Sequence, residues 1–232
     1  MTTHDEADGG KTSEAGTSRL DLAVARSLDP ARARVEKRIQ GFLDAALELL
    51  SNPDTKDFTV QQVVERSGQS LRSFYQYFDG KYELMLALFE ETVAFTARHL
   101  SGVVATEDDP LERLRVFLFE HYRMCTPLKD GTAALGGPNP VAIADFAQQL
   151  LTDHPKEAAK AFGPLIDQLE QLLRDASDAG EIRDDLDHRR MAGVLLQAIM
   201  FSTFASTISG TSLNRSTPDP LWELAYNGLI AR

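Results

Sequence analysis

The segment from Thr59 to Leu84, TVQQVVERSGQSLRSFYQYFDGKYEL, constrains this chain more than any other, because its punctuation demands two short helices across a glycine turn and then a third. Thr59 can cap the first helix, its hydroxyl accepting from an otherwise unpaired backbone N–H, and Gln62 stands where a capping box needs it. Val60, Val63 and Val64 recur at helical spacing on one face. Gly68 can take the positive φ that often ends a helix, and Ser70 follows as the cap of the next. In that second helix Phe74 and Phe78 share a face and pack on the valines. Leu71, Arg72, Ser73, Tyr75 and Tyr77 are left off the core, the layout of a helix-turn-helix DNA reader.

An ordinary helical hairpin with an aromatic core is the competing reading. It accounts for Phe74 and Phe78 but not for two tyrosines beside them, since a buried phenol needs a hydrogen-bond partner. Phosphate oxygens are suitable partners for exposed hydroxyls, for lysine and for helix N-terminal N–H groups. Lys81 falls in the first turn of the third helix, where the helix dipole disfavours a cation and an incoming anion would relieve it.

The run Phe74 to Leu84 resembles the Tyr-x-His/Tyr-Phe-x-x-Lys-x-x-Leu hallmark of the TetR family of transcriptional regulators. Thr59-Val60, Ser67-Gly68-Gln69-Ser70 and, upstream, Arg38-Ile39 with Ala45, Ala46, Leu49 and Leu50 fall where that family has corresponding elements. The resemblance implies that Thr59, Tyr75, Tyr77 and Lys81 contact phosphates, while Leu71, Arg72 and Ser73, behind Ser70, face the major groove. Arg72 is the expected base reader, because a guanidinium can bond O6 and N7 of guanine together. Two positions depart from the pattern. Gln69 replaces a small apolar residue beneath the turn, and Gly80 stands where a Ser or Asn cap is common, with Asp79 as its expected substitute.

Net charge is −11 over 232 residues, which by itself argues against nucleic acid. The distribution answers this: residues 1–30 carry three basic and six acidic side chains, 31–81 carry eight and seven, and the rest thirteen and twenty-two. The acidity lies mainly outside the reader, whose small local charge predicts reliance on dimerisation for tight binding. With Cys125 the single cysteine, no secretory signal and no apolar run long enough to span a bilayer, a cytoplasmic protein is expected.

Residues 1–30, rich in Asp, Glu, Gly, Ser and Thr, are expected to form a disordered acidic arm. The helix-turn-helix domain then occupies 31–81 and a helical effector-binding and dimerisation domain 82–232. Within the latter, helices are expected over 81–102, 110–125, 141–151, 155–179, 187–208 and 219–230, giving an all-α fold. The 187–208 helix is apolar on nearly every side and must be covered. In the family the last two long helices build a four-helix bundle across a twofold axis, which implies a homodimer on palindromic DNA. Leu169, Leu172, Leu173, Leu195, Ala198 and Ile199 are the residues expected at that interface.

TetR-like regulators also enclose a largely apolar cavity, so the resemblance implies a hydrophobic small-molecule effector. Phe95, His121, Tyr122, Cys125, Phe146, Phe162, Phe201 and Phe204 are its expected lining, with the bland reading that most are plain core. No cofactor is expected. An enzyme is disfavoured, as the chain has no HExxH, no Gly-rich phosphate loop and no Gly-x-Ser-x-Gly elbow, and its histidines show no metal-ligand spacing. A helical adaptor that binds another protein is the main alternative.

Overall fold

The computed structural model describes residues 19–52, 57–126, 133, 137–138, 140–209 and 218–230, with side chains described from residue 30 and, at the end of one helix, only as far as Thr203. The regular elements among the described residues are all helices, apart from an isolated antiparallel bridge between Ile182 and Ile230. In order the helices are α1 (Arg19–Leu50), α2 (Val60–Ser67), α3 (Leu71–Phe74), α4 (Lys81–Val104), α5 (Pro110–Cys125), α6 (Pro140–Asp153), α7 (Pro155–Asp178), α8 (His188–Ser209) and α9 (Asp219–Leu229).

The chain divides into two compact units, residues 1–40 and 41–232, so the division falls inside α1 and none falls at 81. In the first unit α1 begins at Arg19 and runs through Pro30, upstream of the expected start. Residues 1–18 of the expected arm lie outside the described residues. From Pro30 to Gln40 the helix is exposed at nearly every position, with Arg32 paired to Glu36 at 2.7 Å.

In the second unit the end of α1 packs with α2 and α3 around Phe42, Ala46, Phe58, Val63, Phe74 and Phe78, all buried. Phe42 meets Phe74 edge-on at 5.4 Å between ring centroids, and Phe78 at 6.2 Å, geometry that adds to the area the rings bury. Arg66 at the end of α2 pairs with Glu48 of α1. Gln69, the expected misfit under the turn, is half-buried against α1 at Gly41, where a Cβ would stand 2.9 Å from its amide nitrogen. A small residue in α1 thus accommodates a large one in the turn.

The larger part of this unit is a bundle of α4, α5, α7 and α8, with α6 across it and α9 against α8. Asp109 caps α5, accepting from the Glu112 N–H at 2.7 Å, and Pro110 fills the first helical position. Gly180 with φ 76 ends α7, as expected. Arg189 at the start of α8 reaches Asp167 and Glu170 of α7 at 2.9 and 2.8 Å, fastening the two helices whose apolar faces form the centre of the core. Leu169, Leu172, Leu173, Leu195 and Ile199 are all buried there and Ala198 is half-buried, so these six side chains pack within one chain. The five buried ones are not available to an interface in the single chain: the stripe seen in the sequence is the intrachain α7–α8 seam. Among the described side chains of α8, the large apolar ones that are exposed are Val194 and Phe201, at 52% and 75%.

Candidate nucleic-acid interface and effector cavity

The reader's local geometry follows its sequence closely. Thr59 is extended and its hydroxyl accepts from the Gln62 N–H at 3.2 Å, while the Gln62 side chain accepts from the Thr59 N–H at 2.8 Å, completing the capping box. Gly68 adopts φ 66, the left-handed turn between α2 and α3. Ser70 caps α3 by accepting from the Ser73 N–H at 3.1 Å. After Phe74 the chain stays helically bonded, the Tyr77 and Phe78 N–H groups both donating to the Phe74 carbonyl at 3.0 Å, so that the recognition element is longer than α3 itself.

Of the side chains expected at DNA, Leu71, Arg72 and Tyr75 are exposed with Thr59 and Ser70, and Tyr77 and Lys81 are half-buried. An apolar Leu71 at 44% exposure and a tyrosine at 56%, on one short element, form a surface that water alone does not favour. Ser73 departs from expectation: its Oγ is buried without a hydrogen-bond partner, so the hydroxyl turns inward. Lys81 also behaves differently. It pairs with Asp57 and lies 5.5 Å from the centre of the Phe58 ring, so a carboxylate of the same chain relieves its conflict with the dipole of α4. Asp79 is not the cap of α4: Gly80 holds that place without a side-chain bond, and the Asp79 N–H donates to Glu83, which reaches back from the first turn.

α4 continues from the reader into the bundle. In its first turn the Tyr82 hydroxyl donates to Glu157 of α7, and its ring stacks on His154 at 4.7 Å. Burial and the Glu157 carboxylate push its phenol up to about 12. Phe146 lies 5.9 Å from Tyr82 and 5.8 Å from Phe89, which meets Phe162 at 5.3 Å. Phe89 and Phe162 form part of the wall of a cavity of about 440 Å³ enclosed by α4, α5, α6, α7 and α8.

Five of the eight expected lining residues come together on that wall: Phe95, His121, Cys125, Phe162 and Phe201. Tyr122 is buried but does not line it, and Phe146 belongs to the ring chain just described. The side chain of Phe204 lies outside the described residues. Phe95, Leu151 and Phe201 are 46%, 47% and 75% exposed and on the wall at once, so the cavity opens to the surface along an apolar rim. Thr92, Thr96 and Thr203 also line it. Sequence reasoning missed them, although threonines in otherwise apolar helical stretches were the available signal.

The family model described as bacterial regulatory proteins, tetR family, matches residues 42–88, which span the end of α1, α2, α3 and the first turns of α4. Those residues carry the signature of the TetR family. One relative, the fatty acid metabolism regulator protein of Bacillus subtilis (strain 168), is 22% identical over 178 residues, covering 75% of this chain and 82% of that protein. A solved TetR-family transcriptional regulator from Pectobacterium atrosepticum aligns with a TM-score of 0.69 at 16% identity, over 87% of this chain and 98% of that one. The regulator FadR of Bacillus subtilis, solved in complex with stearoyl-CoA, aligns with a TM-score of 0.60 at 15% identity, over 83% and 97%. At such identities the structures establish the TetR fold: a helix-turn-helix part followed by a helical body. No helix among the described residues is long and apolar enough to cross a membrane.

Proposed function

We propose that this TetR-family transcriptional regulator is a homodimeric repressor of palindromic operators, released when a hydrophobic small molecule occupies the cavity. The observation that carries the reading is the reach of α4. Its first residue, Lys81, sits against Asp57 and Phe58 of the reader, and Phe89, Thr92, Val93, Phe95 and Thr96 of the same helix stand on the cavity wall. An occupant that favours one position of α4 over another must bias the reader by the same free energy. The stearoyl-CoA held by the FadR relative supports an apolar occupant. Arg72, exposed and aligned with Leu71 and Tyr75, is the base reader; Thr59, Ser70, Tyr75, Tyr77 and Lys81 serve the backbone. The Ser73 hydroxyl is removed from the proposed contacts. Two copies pair through the outer faces of α7 and α8, where Val194 and Phe201 are exposed, and the reader domain (31–81) is carried by the effector domain (82–232).

The test is a mobility shift on duplexes selected from a random library, over a salt series. A palindromic selected site, a falling affinity with salt, and a loss of about 1–3 kcal/mol in Arg72→Ala confined to one position of each half-site are expected. Selection of no sequence would overturn the reading.

A further inference from the structure

The cavity wall is chemically one-sided. Among the described residues that form it, none is Asp, Glu, Lys or Arg. An anionic group drawn inside would leave water with no cation to replace it. The buried titratable groups cannot supply one: burial pulls His121 down to about 4 and pushes the Cys125 thiol up to about 12, so both are neutral near pH 7. Hydroxyl donors are equally scarce. Thr92 donates its proton to the Leu88 carbonyl at 2.8 Å, Thr96 to the Thr92 carbonyl at 2.9 Å, and Thr203 to the Ile199 carbonyl at 2.9 Å. Each hydroxyl has one proton, so what Thr92 and Thr96 retain for an occupant is acceptor capacity. The amides of Gln148 and Gln197 belong to exposed residues at the opening.

We propose that the effector is an uncharged lipophile whose buried polar group is a hydroxyl, donated to the threonine oxygens of α4, and that carboxylate and phosphate groups are kept outside the cavity. This rests on the effector-release function proposed above and narrows it to one chemical class. A carboxylate would find no cation and, apart from the His121 imidazole whose Nδ1 is buried without a partner, mainly acceptor oxygens and aromatic faces, whereas an alcohol can donate to those oxygens.

Calorimetric titration of the full-length protein near neutral pH with decanol, decanoate and methyl decanoate tests this. Decanol should bind at least about tenfold tighter than decanoate, and the double variant Thr92→Val/Thr96→Val should lose about tenfold for decanol while leaving the ester unchanged. Equal or tighter binding of decanoate, an unchanged preference in the double variant, or binding of none of the three overturns the assignment. A selected operator duplex separates the two levels. If decanol binds with this preference but the operator complex survives its saturation, release fails and the ligand class stands. If decanoate releases the operator as well as decanol does, the ligand class fails and release stands.

Discussion

The Tyr82 hydroxyl donates to the Glu157 carboxylate, tying the first turn of α4 to the first turn of α7 at the point where the reader's last helix enters the bundle. On its other side the Tyr82 ring begins the aromatic series through Phe146 to Phe89 on the cavity wall. On the effector-release function proposed above, this contact between one end of α4 and a helix lining the cavity would relay occupancy to the reader.

Tyr82→Phe keeps the ring contacts and removes only this bond. A loss of about 1 kcal/mol in unfolding free energy is expected, together with a shift in the effector concentration that half-releases DNA, while affinity for the free operator stays within a few-fold. Denaturant titration and mobility shift would check both. An unchanged effector response would detach Tyr82 from the relay.

Two reader glycines should respond oppositely to substitution. Gly68 has φ 66 and nothing within 4 Å of an added Cβ, so Gly68→Ala meets strain but no collision and should cost about 1–2 kcal/mol. Gly80 has φ 170, extended backbone open to any residue, and caps α4 without a side chain. Gly80→Ser should therefore stabilise by a few tenths of a kcal/mol, up to about 1. Thermal unfolding of the pair checks the sign; destabilisation by Gly80→Ser would mean that its backbone is constrained by something other than capping.

The outer and inner faces of the α7–α8 pair can be separated by mutation. Val194 is exposed in the single chain, so Val194→Asp should leave the fold within about 0.5 kcal/mol of wild type and shift sedimentation from dimer to monomer. Leu173 is fully buried, and Leu173→Ala should cost about 2–5 kcal/mol whatever the oligomeric state. A Val194→Asp protein that still sediments as a dimer would place the interface elsewhere.

Glu120 supplies a pH test. Its hydrogen bonds from Arg123, and from His99 at 2.6 Å, hold its carboxyl at about 2 against the opposing effect of burial. The folded state thus favours the ionised form, so the contribution is fully present above the ordinary value of about 4.5 and is lost as pH falls through about 2. Glu120→Gln should be less stable than wild type by about 2 kcal/mol near neutral pH, with the difference shrinking below about pH 4.5. A gap that does not change with pH would mean that the glutamate's packing matters, and not its charge.

Local chemistry was legible in the residues alone. The capping box of Thr59 and Gln62, the left-handed Gly68, the Ser70 cap and the ends of the bundle helices depend on side chains within a few positions of one another, so sequence spacing determined them. What the spacing left open was every relationship in which a partner arrives from far along the chain. Asp57 claims Lys81, Gly41 makes room for Gln69, and Ser73 turns its hydroxyl inward, none of which a window around those residues contains. The apolar stripe of α7 and α8 was evident, but a stripe is the same whether its cover is the same chain or a second copy. Only the packed bundle showed Leu173 and Ile199 inside, with Val194 and Phe201 outside. The cavity was decided the same way: aromatic residues fill space or border it according to where five helices fail to close, and that is fixed by tertiary packing alone.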